Sequence, residues 1–104
     1  MSSKRLVVLE KMTSAGSTDP FVWYGLAMEY RGLERVEDAL ATFGKLKALD
    51  PSYVPMYLMC ATLLLSHSRA EEARTWLHEG IAVAKGKGDA HAVSELEDAL
   101  GRAE

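Results

Sequence analysis

Along most of the chain, apolar residues recur three and four positions apart, the spacing of one face of an α-helix. Six stretches follow that period, each closed by a turn or a capping residue. The first spans about Ser3 to Ser14, carries Leu6, Leu9 and Met12 on one stripe, and runs out at Ala15-Gly16-Ser17. The second opens at Asp19-Pro20, an N-cap followed by proline at the first helical position, and ends near Gly32. A third covers about Val36 to Leu49, with Val36, Ala39, Leu40, Phe43 and Leu46 turned inward, and stops ahead of Pro51. The fourth begins between Ser52 and Pro55 and ends about Ser66. The fifth, about Ala70 to Lys85, starts with Glu71-Glu72 against the helix dipole and leaves through Gly86-Lys87-Gly88. The sixth runs from Asp89 to about Arg102, with Ala92, Leu96, Ala99 and Leu100 inward and Glu95, Glu97, Asp98 and Arg102 toward solvent. The best strand-like run, Leu6 to Leu9, has nothing to pair with. Loops of three to six residues make consecutive helices antiparallel neighbours, so the expected architecture is all-α, a set of helix hairpins.

The chain also repeats. Shifted by 34 residues, segment 20–53 matches segment 54–87: Trp23 falls on Tyr57, Leu26 on Cys60, Ala27 on Ala61 and Tyr30 on Leu64. Glu37-Asp38-Ala39 falls on Glu71-Glu72-Ala73, and Phe43 on Leu77. Residues 23, 26, 27 and 30 share one helical face, where the small Ala27 admits a partner helix and Ala39 does the same from the other side. A 34-residue period of two helices resembles the tetratricopeptide repeat. The first copy is similar to that pattern at six of eight positions, through Trp23, Leu26, Tyr30, Ala39, Phe43 and Pro51. Ala27 stands for the family's glycine and Leu46 for its second alanine. The second copy is degenerate, keeping Ala73 outright, apolar size at Tyr57, Cys60, Leu64 and Leu77, and Lys85 where proline is usual.

The resemblance implies one domain over residues 1–104, a right-handed α-solenoid of helix hairpins. It consists of an N-terminal helix (1–18), repeats at 20–53 and 54–87, and a capping helix (89–104). The N-terminal helix, with Arg5 where a small residue would be needed, either covers the end of the stack or lies in its groove. The resemblance also implies a concave groove lined by the first helix of each hairpin. Carried over position by position, its lining is Phe21, Tyr24, Met28 and Arg31 in the first copy, and Pro55, Leu58, Thr62 and Leu65 in the second, with Met59 adjacent. That lining is largely apolar and, with two methionines, adaptable. It suits an apolar or amphipathic segment of another protein, in an adaptor or scaffold role; the alternative is a homodimer or assembly subunit that closes the groove on itself. With no Asn in the chain and Arg31 as the one groove cation, it departs from the family's chaperone-tail binders.

Chemistry adds little. His67, His78 and His91 have no helical metal-site spacing among them, and there is no HExxH or CxxC. Cys60 occupies a repeat core position, which suits an inert buried thiol. Gly80 to Lys87 has the wrong spacing for a phosphate loop and continues a helix. The expectation is a protein that is not an enzyme and takes no cofactor and no metal.

Composition supports a folded chain: 48% of the 104 residues are hydrophobic and 26% charged. The net charge of −3, scattered in sign, and the lack of Asn and Gln argue against nucleic acid. The apolar run from Val54 to Leu65 is too short for the roughly 20 residues of a membrane helix, so no membrane insertion is expected. One cysteine makes no internal disulfide, and Leu6–Leu9 is too short for a signal-peptide core; a cytoplasmic location is expected.

Overall fold

A computed structural model describes residues 3–104; the first two residues of the expected 1–18 segment lie outside the described residues. The described residues form six helices and no strand: α1 Lys4–Ser14, α2 Pro20–Gly32, α3 Val36–Leu49, α4 Pro55–Ser66, α5 Ala70–Gly86 and α6 Ala90–Ala103. They fall into two compact units, one up to Asp50 holding α1 to α3, the other from Pro51 holding α4 to α6.

Local chemistry starts each helix. Ser3 accepts from the Leu6 amide, Asp19 from Phe21 and Asp89 from Ala92, so α1, α2 and α6 carry side-chain caps. Helices α3 and α5 lack one and place Glu37-Asp38 and Glu71-Glu72 in their first turns instead. Arg35 and Arg69, just ahead of them, pair with Asp38 and Glu72 at 2.9 and 2.8 Å. The turns before these helices share a backbone device 34 residues apart. Glu34 and Ser68 both adopt left-handed φ, 61° and 59°. The following amides reach back alike, Arg35 to the Tyr30 carbonyl (3.0 Å) and Arg69 to that of Leu64 (2.9 Å).

In the first unit α2 packs on α3, burying Leu26, Ala27 and Tyr30 with Ala39, Phe43 and Leu46. Thr42 is buried as well, its hydroxyl donating to the Asp38 carbonyl at 2.7 Å. Helix α1 packs on another side of α2. Arg5 and the Ser3 hydroxyl meet Glu29, the Tyr30 hydroxyl donates to Glu10 at 2.6 Å, and Leu9 lies against Gly25. These polar pins set the helix rotation, so Leu6 is buried and Leu9 half-buried. Met12, expected on the same stripe, is 43% exposed.

In the second unit α5 packs on both α4 and α6. Tyr57, Cys60, Ala61 and Leu64 are buried with Ala73, Leu77, Gly80 and Ala84, and Leu96, Ala99 and Ala103 close the side toward α6. Arg74 fastens the end of α6 by donating to the Ala103 carbonyl at 2.6 Å. Gly80 lets two helices meet: a β-carbon there would lie 2.5 Å from Tyr57 Cβ and 3.3 Å from Leu96 Cδ1.

Candidate interaction surface

Helix α2 has three faces. Trp23, Leu26, Ala27 and Tyr30 turn toward α3, and Gly25 and Glu29 toward α1. Phe21, Tyr24, Met28 and Arg31 form the third, since 100° per residue sets them apart from both other groups. The N-terminal helix therefore covers the Gly25 and Glu29 side of α2, not the strip that sequence positions assign to a groove. Phe21 is 66% exposed, an unusual state for so large an apolar ring, while Tyr24, Met28 and Arg31 are half-buried. Burial pushes the Tyr24 phenol above its ordinary value, and the Arg31 charge pulls it partly back. The hydroxyl stays protonated at neutral pH and is a donor beside a cation.

In the second unit the equivalent strip on α4 is Pro55, Leu58, Thr62 and Leu65. Pro55 is exposed, and Leu58, Met59, Thr62 and Leu65 are half-buried. The Thr62 hydroxyl donates back to the Met59 carbonyl at 3.2 Å, so the polar group in this strip has a partner within its own helix. Each unit thus presents its own apolar strip, aromatic in α2 and aliphatic in α4.

Sequence reading missed how these helices are held. Trp23 Nε1 donates to the Ser17 carbonyl at 2.7 Å, and Tyr57 donates through its hydroxyl to the Pro51 carbonyl at 2.5 Å. Both bonds reach six residues back, and donors and acceptors alike are 34 residues apart. The aromatic that opens each repeat therefore ties its helix to the incoming loop. The pairing Trp23–Tyr57 was visible in the sequence; the carbonyl each one reaches was not.

The residues weighed for chemistry are dispersed. His67, His78 and His91 are exposed, and Cys60 is buried and in no disulfide. Among the described residues no three His, Cys, Asp or Glu side chains are grouped so as to hold a metal ion. Gly80 to Gly86 lies within α5. No helix of the described residues is long and apolar enough to cross a membrane.

No protein-family model matches the chain, nor does any curated protein. Solved structures do. The solution structure of a tetratricopeptide repeat domain protein from Salinibacter ruber is 37% identical, covers 83% of this chain and 87% of its own, and superposes with a TM-score of 0.77. The chain belongs to the tetratricopeptide repeat family. A crystal structure of a tetratricopeptide repeat domain protein from the same organism gives 36% identity, coverage of 82% and 94%, and a TM-score of 0.75. A protein from Bordetella parapertussis, 25% identical, covers 99% of this chain and 89% of its own at a TM-score of 0.81. Tetratricopeptide membership accounts for the paired devices at Trp23 and Tyr57 and at Glu34 and Ser68, since each repeat rebuilds the same hairpin.

Proposed function

We propose that this tetratricopeptide protein is an interaction module whose apolar strips receive an apolar or amphipathic segment of another protein. Residues 20–53 and 54–87 are read as its two repeats within one domain over 1–104, with helices at 1–18 and 89–104 flanking them. The binding residues are Phe21, Tyr24, Met28 and Arg31 on α2, and Pro55, Leu58, Met59, Thr62 and Leu65 on α4. The observation that carries this is Phe21, 66% exposed at the head of a strip otherwise half-covered. Covering such a ring gains roughly 25 cal/mol for each Å² removed from water, so an apolar ligand is favoured over a charged one. Methionine at 28 and 59 lets the surface adapt to the segment's shape. Arg31 beside Tyr24 gives one polar anchor to set orientation. No catalytic, metal or cofactor role is proposed, and the lone buried thiol of Cys60 suits a cytoplasmic setting.

The test is selection from a random-peptide library followed by titration of the enriched sequences. Amphipathic or apolar sequences are expected, with Tyr24→Glu and Leu58→Glu each abolishing binding at unchanged helical content. Enriched peptides indifferent to both changes would overturn the reading. Loss of a dimer on the same two changes would favour self-association through these strips instead.

A further inference from the structure

The 34-residue shift lays α1 over α3 and α5, and α6 over α4 and α2. In register, α1 is thus the second helix of a hairpin and α6 the first helix of one. Ala39, Phe43 and Leu46, wholly buried in α3 against α2, correspond to Arg5, Leu9 and Met12 of α1. There Arg5 and Met12 are exposed and Leu9 is only half-covered. On α2 the face that meets α3 is Trp23, Leu26, Ala27 and Tyr30; on α6 the same positions are His91, Ser94, Glu95 and Asp98, all exposed. The charges are complementary. Helix α1 carries Lys4, Arg5 and Lys11 against Glu10, and α6 carries Glu95, Glu97 and Asp98 against Arg102. Where α2 and α3 bury the small Ala27 and Ala39, α6 has Glu95 and α1 has Arg5. Arg5 meets Glu29 at 3.5 Å yet leaves its side chain 67% exposed, and Glu95 lies 3.3 Å from His91.

We propose that α6 of one molecule pairs with α1 of a second copy, completing between two chains the hairpin that α2 and α3 form within one. The pairing is heterologous: the acidic face of α6 in one chain meets the basic face of α1 in another. Arg5 meets Glu95 at the positions that Ala39 and Ala27 hold in the inner hairpin, and Met12 and Leu9 gain the cover their equivalents have in α3. Complementary charge sets register and orientation and excludes like ends, because two α1 faces or two α6 faces repel. The contact uses neither the α2 nor the α4 strip, so it stands or falls apart from the peptide-binding reading.

Sedimentation velocity of the intact chain tests this from micromolar to millimolar concentration. The expected result is a weight-average mass that climbs above the monomer value of 11.4 kDa and falls back as salt screens the charges. Arg5→Glu and Glu95→Arg, each with unchanged helical content by circular dichroism, should both stay monomeric. Mixed in equal amounts they should associate again, because Glu at 5 then meets Arg at 95 in alternation. Leu58→Glu should leave association intact. Monomer mass at every concentration, a mixture that fails to recover, or dispersal by Leu58→Glu but not by Arg5→Glu would overturn the proposal.

Discussion

The two units solve one packing problem in two ways. Each packs a first helix on a second and buries one alanine from each, Ala27 and Ala39 in the first unit, Ala61 and Ala73 in the second, all wholly buried. Two helical turns on they diverge. The first unit fills the space with Leu46, wholly buried; the second, 34 residues later, has Gly80 and brings the backbone of α5 onto Tyr57. The larger opening aromatic accompanies the larger wall residue: Trp23 is half-buried in the unit with Leu46, whereas Tyr57 sinks fully in the unit with Gly80. Both changes run the same way: the first unit holds the larger pair with Trp23 part-exposed, and the second closes its helices on the smaller pair.

That contrast breaks most readily at its two ends. Leu46→Ala opens a cavity and should cost about 2–5 kcal/mol. Gly80→Ala adds one methyl and, by helix propensity alone, should stabilise by about 1 kcal/mol. Its methyl would sit 2.5 Å from Tyr57 Cβ, an atom next to the main chain with little freedom to yield. Overpacking therefore wins, and a net loss of about 1–3 kcal/mol is expected by urea denaturation. A stabilised Gly80→Ala would show that α5 does not approach Tyr57 this closely.

These residues also mark where sequence reading stops. Helix limits were legible because Asp19-Pro20, Pro51 and Gly86-Lys87-Gly88 punctuate an unbroken three-and-four spacing, and the hairpin core was legible because small and large residues recur 34 apart. Gly80 was not, since glycine inside a helix announces only poor propensity and its purpose lies in Tyr57 and Leu96, distant in sequence. Met12 fits the apolar stripe of α1 yet is exposed, because Glu29 and Tyr30 of α2 decide how that helix is turned. The candidate strips on α2 and α4 were named from repeat position, but the unequal exposure of Phe21 and Tyr24 depends on neighbours that periodicity does not count.

A second difference is electrostatic. Tyr30 in α2 corresponds to Leu64 in α4, so at this position the first unit alone carries a phenol. Burial, followed by the hydrogen bond to Glu10 and its charge, pushes that phenol from 10.0 up to about 12. Below pH 10 both folded and unfolded forms keep the proton and the contribution is complete. Between 10 and about 12 the unfolded chain releases a proton that the folded one holds, so stability falls as pH rises through that window. Tyr30→Phe should make the decline shallower, with Leu64→Phe as the control that leaves its slope unchanged. Equal slopes in wild type and Tyr30→Phe, measured by denaturation at stepped pH, would count against the Glu10 pairing.

The smallest expected effect concerns what the units share. Glu34 and Ser68 sit in the left-handed region at φ 61° and 59°, where a β-carbon crowds the following carbonyl at about 1–2 kcal/mol. Glycine relieves the crowding but gives the unfolded chain more freedom, which takes back roughly half of the gain. Glu34→Gly and Ser68→Gly should therefore each stabilise by about 0.5–1 kcal/mol, with alanine at either position giving no such gain. Because the two turns make the same backbone bond, to Tyr30 and to Leu64, the two gains should be equal. Unequal gains would mean that the turns differ in strain despite their common geometry. In that case Arg69, which reaches both Glu72 oxygens at 2.8 and 3.1 Å where Arg35 brings two nitrogens to one Asp38 oxygen, would be setting its turn from the helix side.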